Sequence, residues 1–79
     1  MADLRPPLEQ LQSRYKLHSL SAFWDPRQPE WELHWIRLYN GVESDPRMVT
    51  GATLDECAER ALEWERRADE RDAAERADP

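Results

Sequence analysis

The segment WELHWIRLY, residues 31–39, constrains the fold more than any other part of the chain. Its side chains alternate with the period of two that a β-strand imposes, and its aromatic and β-branched residues favour a pleated sheet. One face would carry Trp31, Leu33, Trp35, Arg37 and Tyr39, and the other Glu32, His34, Ile36 and Leu38. Neither face is wholly polar, so we expect a helix to cover one side and the other side to stay partly exposed.

Two elements are predicted before this strand. Leu8, Leu11 and Tyr15 recur at three- and four-residue spacing just after two prolines, which indicates a short helix. Asp3 is a candidate cap for that helix. The segment LHSLSAFW, residues 17–24, predicts a strand, although its period is unclear. The DPRQPE segment that follows predicts a loop longer than a tight hairpin.

Two further elements follow the central strand. An Asn-Gly pair at residues 40–41 predicts a turn, and RMVTG predicts a short third strand over residues 47–51. A long helix then begins at Thr53, a candidate N-cap, because Glu56 three residues on completes a capping box. This order predicts an α+β fold, in which a short N-terminal helix and a long C-terminal helix pack on one face of a three-stranded antiparallel sheet.

A chain of 79 residues has room for one domain. We expect residues 1–64 to form that domain, because the apolar stripe of the long helix ends at Trp64. Residues 65–79 contain no apolar side chain larger than alanine, which predicts a charged helical extension that is exposed or frayed. So thin a core also favours a homodimer that buries Ile36 and Leu38.

Four tryptophans are the main aromatic feature of the chain. Trp35 and Trp64 are predicted to form a core pair under the long helix, while Trp24 and Trp31 would lie near the proline-rich loop. Trp24 is the best candidate for an interface anchor, because tryptophan is enriched at binding hot spots.

Charge and missing motifs exclude several functions. Seventeen acidic and eleven basic side chains give a net charge of −6, so we do not expect nucleic acid as a partner. The two glycines cannot form a phosphate-binding loop, and no nucleophile has a partnered base. We therefore predict neither catalysis nor a cofactor. His18, His34 and Glu32 would be a minimal metal set, but surface or half-buried histidines are the favoured interpretation.

The expected location is the cytoplasm. No apolar run approaches the roughly 18 residues of a membrane helix, and MADLRPPLEQ lacks the pattern of a secretory signal. Cys57, on the apolar side of the long helix, is interpreted as a small buried hydrophobe, and one unpaired cysteine fits a reducing compartment. Ten of the eleven basic residues are arginine, which suggests a GC-rich genome, bacterial or viral.

The segment VTGATLDECAERALEW, residues 49–64, resembles the passage from sheet to helix in small HicB-type antitoxin domains. In that family a glycine, a Thr-Leu pair and two acidic residues introduce an alanine-rich helix after three strands. The order of elements also resembles a double-stranded-RNA-binding domain. That family has a lysine cluster at the start of its second helix, where this chain has Thr53, Leu54, Asp55 and Glu56. The resemblances imply the fold, and no functional residue is carried over.

Three functions remain open. The first is a small acidic protein-binding module, an inhibitor or adaptor, such as a phage-encoded inhibitor of a basic host nucleic-acid-binding or defence complex. The second is a HicB-like antitoxin or regulatory domain that neutralises a small toxin. The third is nucleic-acid binding through an aromatic sheet face. The predicted partner-binding residues are Trp24, Trp31, Ile36, Leu38, Glu63, Asp69 and Glu70.

Overall fold

The computed structural model describes residues 4–77 and confirms the predicted α+β fold. In chain order the elements are α1 (Pro7–Arg14), β1 (Leu17–Asp25), β2 (Glu30–Tyr39), β3 (Val42–Glu43), β4 (Arg47–Gly51) and α2 (Leu54–Ala77). The candidate cap Asp3 lies outside the described residues. Within those residues, neither helix combines the length and the apolar character needed to cross a membrane.

The strand β2 is the centre of the sheet and pairs antiparallel with the three other strands. Leu33 of β2 lies opposite Ala22 of β1 on one side and opposite Val49 of β4 on the other. The sequence does not predict β3, because two paired residues are too few to show alternation. This strand extends the hairpin at Asn40 and Gly41, whose φ angles of 50° and 83° fit the predicted Asn-Gly turn.

The strand register decides which side chains share a face of the sheet. Trp31, Leu33 and Trp35 lie on the side that the helices cover, as predicted. Ile36 and Leu38 lie on the opposite side. None of the described helices covers this second side, and we call it the open face.

A bulge in β1 keeps both ends of that strand in contact with the core. The register shifts between Leu17 and Ser19, so Leu17 and Leu20 both pack against the core although they are three residues apart. This shift explains why residues 17–24 show no clear alternation.

The core lies between the sheet and the two helices and is small. Its buried apolar members are Leu11 of α1, Leu33 and Trp35 of β2, and Cys57, Ala58 and Ala61 of α2. Cys57 is fully buried, as predicted, and its thiol donates a hydrogen bond to the carbonyl of Trp31 at 3.4 Å. Burial raises the pKa of this thiol, which disfavours its thiolate form.

The prediction that Trp64 belongs to the core is wrong in part. The Trp64 ring contacts the Trp35 ring edge-on, with centroids 5.7 Å apart, but 43% of the residue is exposed. The reason is helical geometry, because the buried stripe of α2 is centred on Ala61 and the turn of the helix places Trp64 at its edge.

The start of α2 is capped by the predicted residues. The Thr53 Oγ1 accepts a hydrogen bond from the backbone N–H of Glu56 at 3.1 Å. The Glu56 carboxylate accepts from the N–H of Ala52, one residue before the usual position in a capping box. Gly51 is buried under this first turn, where an added Cβ would lie 3.1 Å from the backbone nitrogen of Cys57. The close approach favours glycine at this position.

The predicted boundary between a domain, residues 1–64, and an extension, residues 65–79, falls inside α2. Glu65, the first residue of that extension, is fully buried, and Asp69 forms an ion pair with Arg37. The exposed part of the helix therefore begins later than the sequence predicts, because buried charge rather than apolar area holds this part of α2 against the sheet.

We expect the substitution Gly51→Ala to destabilise the fold by roughly 1–3 kcal/mol, because the new methyl group would lie within 3.2 Å of the Cys57 Sγ and of the Glu56 Cβ. Urea denaturation followed by tryptophan fluorescence would measure this change. The matched control is Ser21→Ala at an exposed strand position, which should change the free energy of unfolding by less than about 0.5 kcal/mol. Equal effects of the two variants would contradict the prediction.

Candidate functional site

The open face carries a group of apolar side chains. Ile36 and Leu38 of β2 are half-buried there, while Phe23 of β1 is 56% exposed and Met48 of β4 is 45% exposed. The Phe23 ring meets the His34 ring edge-on, with centroids 5.4 Å apart. The sequence singles out Ile36 and Leu38 but misses Phe23 and Met48, because their face follows from the strand register. We call this group the apolar patch: Phe23, His34, Ile36, Leu38 and Met48.

Two carboxylates of the open face border the apolar patch. Glu43 contacts His18 at 3.0 Å, and Glu32 contacts His34 at 3.1 Å. The candidate metal set is therefore not assembled, since its two histidines contact different acids. Among the described residues, no group of three histidine, cysteine, aspartate or glutamate side chains is placed to hold a metal ion.

The other predicted aromatic residues lie apart from the apolar patch. Trp24 and Trp31 are opposite each other in the sheet, on the face that the helices cover, and their rings meet edge-on at 5.6 Å. Trp24 is 47% exposed, while Trp31 packs against the core. The structure therefore does not join these tryptophans and Ile36 into one surface.

The three predicted acidic residues of α2 are each held by arginine. Glu63 contacts Arg66 at 2.6 Å and Arg67 at 2.8 Å, and Arg66 also pairs with Glu70. The hydrogen bonds from Arg66 and Arg67 lower the pKa of Glu63 to about 2. Asp69 forms an ion pair with Arg37 of β2 at 2.7 Å. The acidic face of α2 therefore carries less free negative charge than its sequence suggests.

Glu65 of α2 is fully buried between the helix and the sheet, and the sequence analysis misses it. The indole N–H of Trp35 donates to its Oε1 at 2.9 Å, Arg37 donates to its Oε2 at 2.8 Å, and Arg47 also donates to Oε1. Both carboxylate oxygens are therefore hydrogen-bonded. A signal exists in the sequence, because position 65 continues the buried helical stripe four residues beyond Ala61.

Arg37 connects this carboxylate to two aromatic rings and a second acid. Its guanidinium carbon lies 4.7 Å from the Tyr15 ring centroid and 4.3 Å from that of Tyr39, which makes two cation–π contacts. Its Nη1 also donates to Asp69 at 2.7 Å, while its buried Nε has no partner among the described residues. We call this assembly the buried ion cluster: Trp35, Arg37, Tyr39, Arg47 and Glu65.

The electrostatics of the buried ion cluster favour an ionised Glu65. Burial alone would raise the pKa of the carboxyl, but the hydrogen bonds from Trp35, Arg47 and Arg37 outweigh burial and hold that pKa below its ordinary value. The cluster is therefore charged at neutral pH and joins α2 to both β2 and β4.

Comparison with known proteins adds no relative: no protein family, no characterised protein and no solved structure matches this chain. The resemblances to HicB-type and double-stranded-RNA-binding domains stay predictions. A functional proposal must therefore rest on the chemistry of the surfaces described above.

We expect Glu65→Gln to destabilise the fold by roughly 2–4 kcal/mol, because it leaves Arg47 mostly buried without a counter-charge and Arg37 with the half-exposed Asp69 as its one remaining acid among the described residues. The control is Glu70→Gln, which removes an exposed ion pair on the same helix and should cost less than about 1 kcal/mol. Urea denaturation of both variants would test this. A Glu65→Gln protein as stable as Glu70→Gln would show that the buried ion cluster contributes little.

A pH dependence follows from the lowered pKa of Glu65. A carboxyl whose pKa is lower in the folded chain stabilises the fold fully above its unfolded pKa of about 4.3, and that contribution disappears as the pH falls through the folded pKa. We expect the stability difference between wild type and Glu65→Gln to be constant near neutral pH and to shrink below about pH 4. Chemical denaturation at a series of pH values would measure it, and a difference independent of pH would refute this expectation.

Proposed function

We propose that the chain is a non-catalytic protein-binding module, an inhibitor or adaptor, that contacts a basic protein through its open face. The observation that carries the proposal is the apolar patch, in which Phe23 and Met48 are each about half exposed on a sheet face that no described helix covers. Exposed apolar area gathered on one face is typical of a surface that binds another protein.

The charges around the apolar patch define the chemistry of the partner. Glu32 and Glu43 border the patch, and the whole chain carries a net charge of −6. A partner with an apolar centre and lysine or arginine side chains around it would match both features, and the long-range attraction would speed association. This supports a basic protein as the partner.

The open face is a better candidate than the acidic helix. Mimicry of nucleic acid by α2 would depend on Glu63, Asp69 and Glu70, and each of these already pairs with an arginine. An acid in an exposed ion pair can leave its arginine for a basic group of a partner protein, but replacing one exposed ion pair by another contributes little binding free energy. On the open face, by contrast, Phe23 is 56% exposed and Met48 is 45% exposed, and Phe23 has a ring contact with His34.

Three predicted alternatives involve the same surfaces. A homodimer through the open face would bring Glu32 and Glu43 of two acidic chains together, and this repulsion favours a basic partner over a second copy. A HicB-like antitoxin would also bind protein, with a small basic toxin as its partner. Base stacking on the sheet has less support, because Trp31, Trp35 and Tyr39 face the helices.

The proposal is tested by capture from the producing cells with a tagged chain and two matched variants. Phe23→Ser combined with Met48→Ser removes exposed apolar side chains from the open face, while Val42→Ser removes a 68% exposed side chain elsewhere. We expect wild type and Val42→Ser to retain the same protein and the double variant to lose it. The captured protein, once purified, should bind the double variant at least about tenfold more weakly than wild type.

Two results would contradict the proposal that the open face binds a basic protein. Retention that does not differ between the double variant and Val42→Ser would remove the open face from the proposal. Light scattering that gives twice the 9.4 kDa chain mass for wild type, and a monomer for the double variant, would assign the face to a homodimer instead. Both variants should keep the thermal stability of wild type, since the substituted side chains are exposed.

A further inference from the structure

Four arginines surround an exposed tryptophan on the helical side of the molecule. Four of these side chains follow one another along α2 at spacings of four, three and four residues and therefore form one stripe: Arg60, Trp64, Arg67 and Arg71. Arg47 reaches the same place from β4. Together with Glu63 and Ala68 they line an open groove of about 350 Å³. We call it the arginine groove.

The lining of the arginine groove contains more basic than acidic side chains, although the chain as a whole is acidic. Its lining contains four guanidinium groups and one carboxylate, Glu63, while the whole chain has a net charge of −6. Three of these arginines also pair with a carboxylate, Arg47 with Glu65, Arg60 with Glu56 and Arg67 with Glu63, so the excess of positive charge rests on Arg71. The net charge of the whole chain is therefore a weaker argument against a phosphate-bearing partner at this groove than at its other surfaces.

Several donors in the groove are available to a ligand. Arg67 contacts Glu63 through its Nε at 2.8 Å, which leaves its two terminal nitrogens able to donate. Arg71 is exposed and forms no ion pair with the residues that the structure describes. The spacing of these residues by one helical turn lets both guanidinium groups reach one anionic group.

Trp64 supplies an aromatic surface between the arginines. The residue is 43% exposed, and its edge-on contact with Trp35 at 5.7 Å holds the ring against the fully buried core tryptophan. A planar ring fixed beside guanidinium groups matches a ligand that carries an aromatic ring next to a phosphate. Phosphate alone would not use the ring, and an aliphatic acid would not stack on it.

We propose that the arginine groove binds a phosphorylated nucleoside, with the nucleobase stacked on Trp64 and the phosphate held by Arg67 and Arg71. A free nucleotide and one unit of a single-stranded nucleic acid share this chemistry. The groove lies on the opposite side of the sheet from the open face, so this site is independent of the protein-binding function proposed above.

The test uses the full chain at low salt and three probes: ATP, inorganic tripolyphosphate and a short single-stranded oligonucleotide. Isothermal titration calorimetry gives the affinities, and the indole N–H resonances in NMR spectra report which tryptophan is affected. We expect ATP to bind about tenfold more tightly than tripolyphosphate, because only ATP can stack, and to shift the Trp64 resonance.

Matched variants separate stacking from charge. Trp64→Leu should reduce ATP affinity by about tenfold and leave tripolyphosphate affinity unchanged, whereas Trp24→Leu, at a tryptophan of similar exposure, should change neither. Combined Arg67→Gln and Arg71→Gln should weaken both ligands, and Arg27→Gln in the loop after β1 should not. The arginines are exposed and the two tryptophans are nearly half exposed, so the variants should stay folded, which circular dichroism would verify.

The oligonucleotide shows whether the natural ligand is a free nucleotide or part of a single-stranded nucleic acid. Binding of the strand much more tightly than ATP would assign the groove to single-stranded nucleic acid, and equal or weaker binding would assign it to a free nucleotide. The proposal is overturned if no probe binds, or if ATP and tripolyphosphate bind equally and Trp64→Leu has no effect, which would indicate non-specific attraction of anions.

Discussion

The buried carboxylate of Glu65 is the contact on which the arrangement of helix and sheet depends. A carboxylate removed from water costs several kcal/mol unless donors compensate it, so α2 can lie on the sheet only where Trp35, Arg37 and Arg47 reach it. The fully buried apolar residues of α2 are a cysteine and two alanines, which discriminate weakly between helix positions, while Leu54 and Leu62 pack against the core only in part. The buried ion cluster therefore fixes where α2 lies, and with it the position of the arginine groove.

Side-chain periodicity accounts for what the sequence predicted and for what it missed. The alternation in residues 31–39 predicted both faces of β2, because neither end of that strand contains a bulge. The face of Phe23 could not be read in the same way, since the register shift in β1 precedes it. Glu65 was missed for another reason: an acid in a charged segment is normally exposed, and only the partners on β2 and β4 reverse that expectation.

Net charge was a poor guide to individual surfaces for a physical reason. Acids and bases three or four residues apart on α2 neutralise each other in pairs, as Glu63 does with Arg66 and Arg67. The helical repeat also gathers Arg60, Arg67 and Arg71 on one side of α2, where Glu63 is the one acid that lines the groove. Composition sums over all sides of the helix, but a ligand meets only one of them.

The requirements of the fold also limit how the arginine groove can work. Arg47 lines the groove and donates to Glu65, so drawing it toward a bound phosphate would leave a fully buried carboxylate short of a donor. That loss exceeds what an exposed ion pair returns. Arg67 and Arg71 carry no such obligation, because the first pairs with the partly exposed Glu63 and both lie on the solvent side of α2. The anion would therefore be held by these two residues, while Arg47 contributes only its electric field.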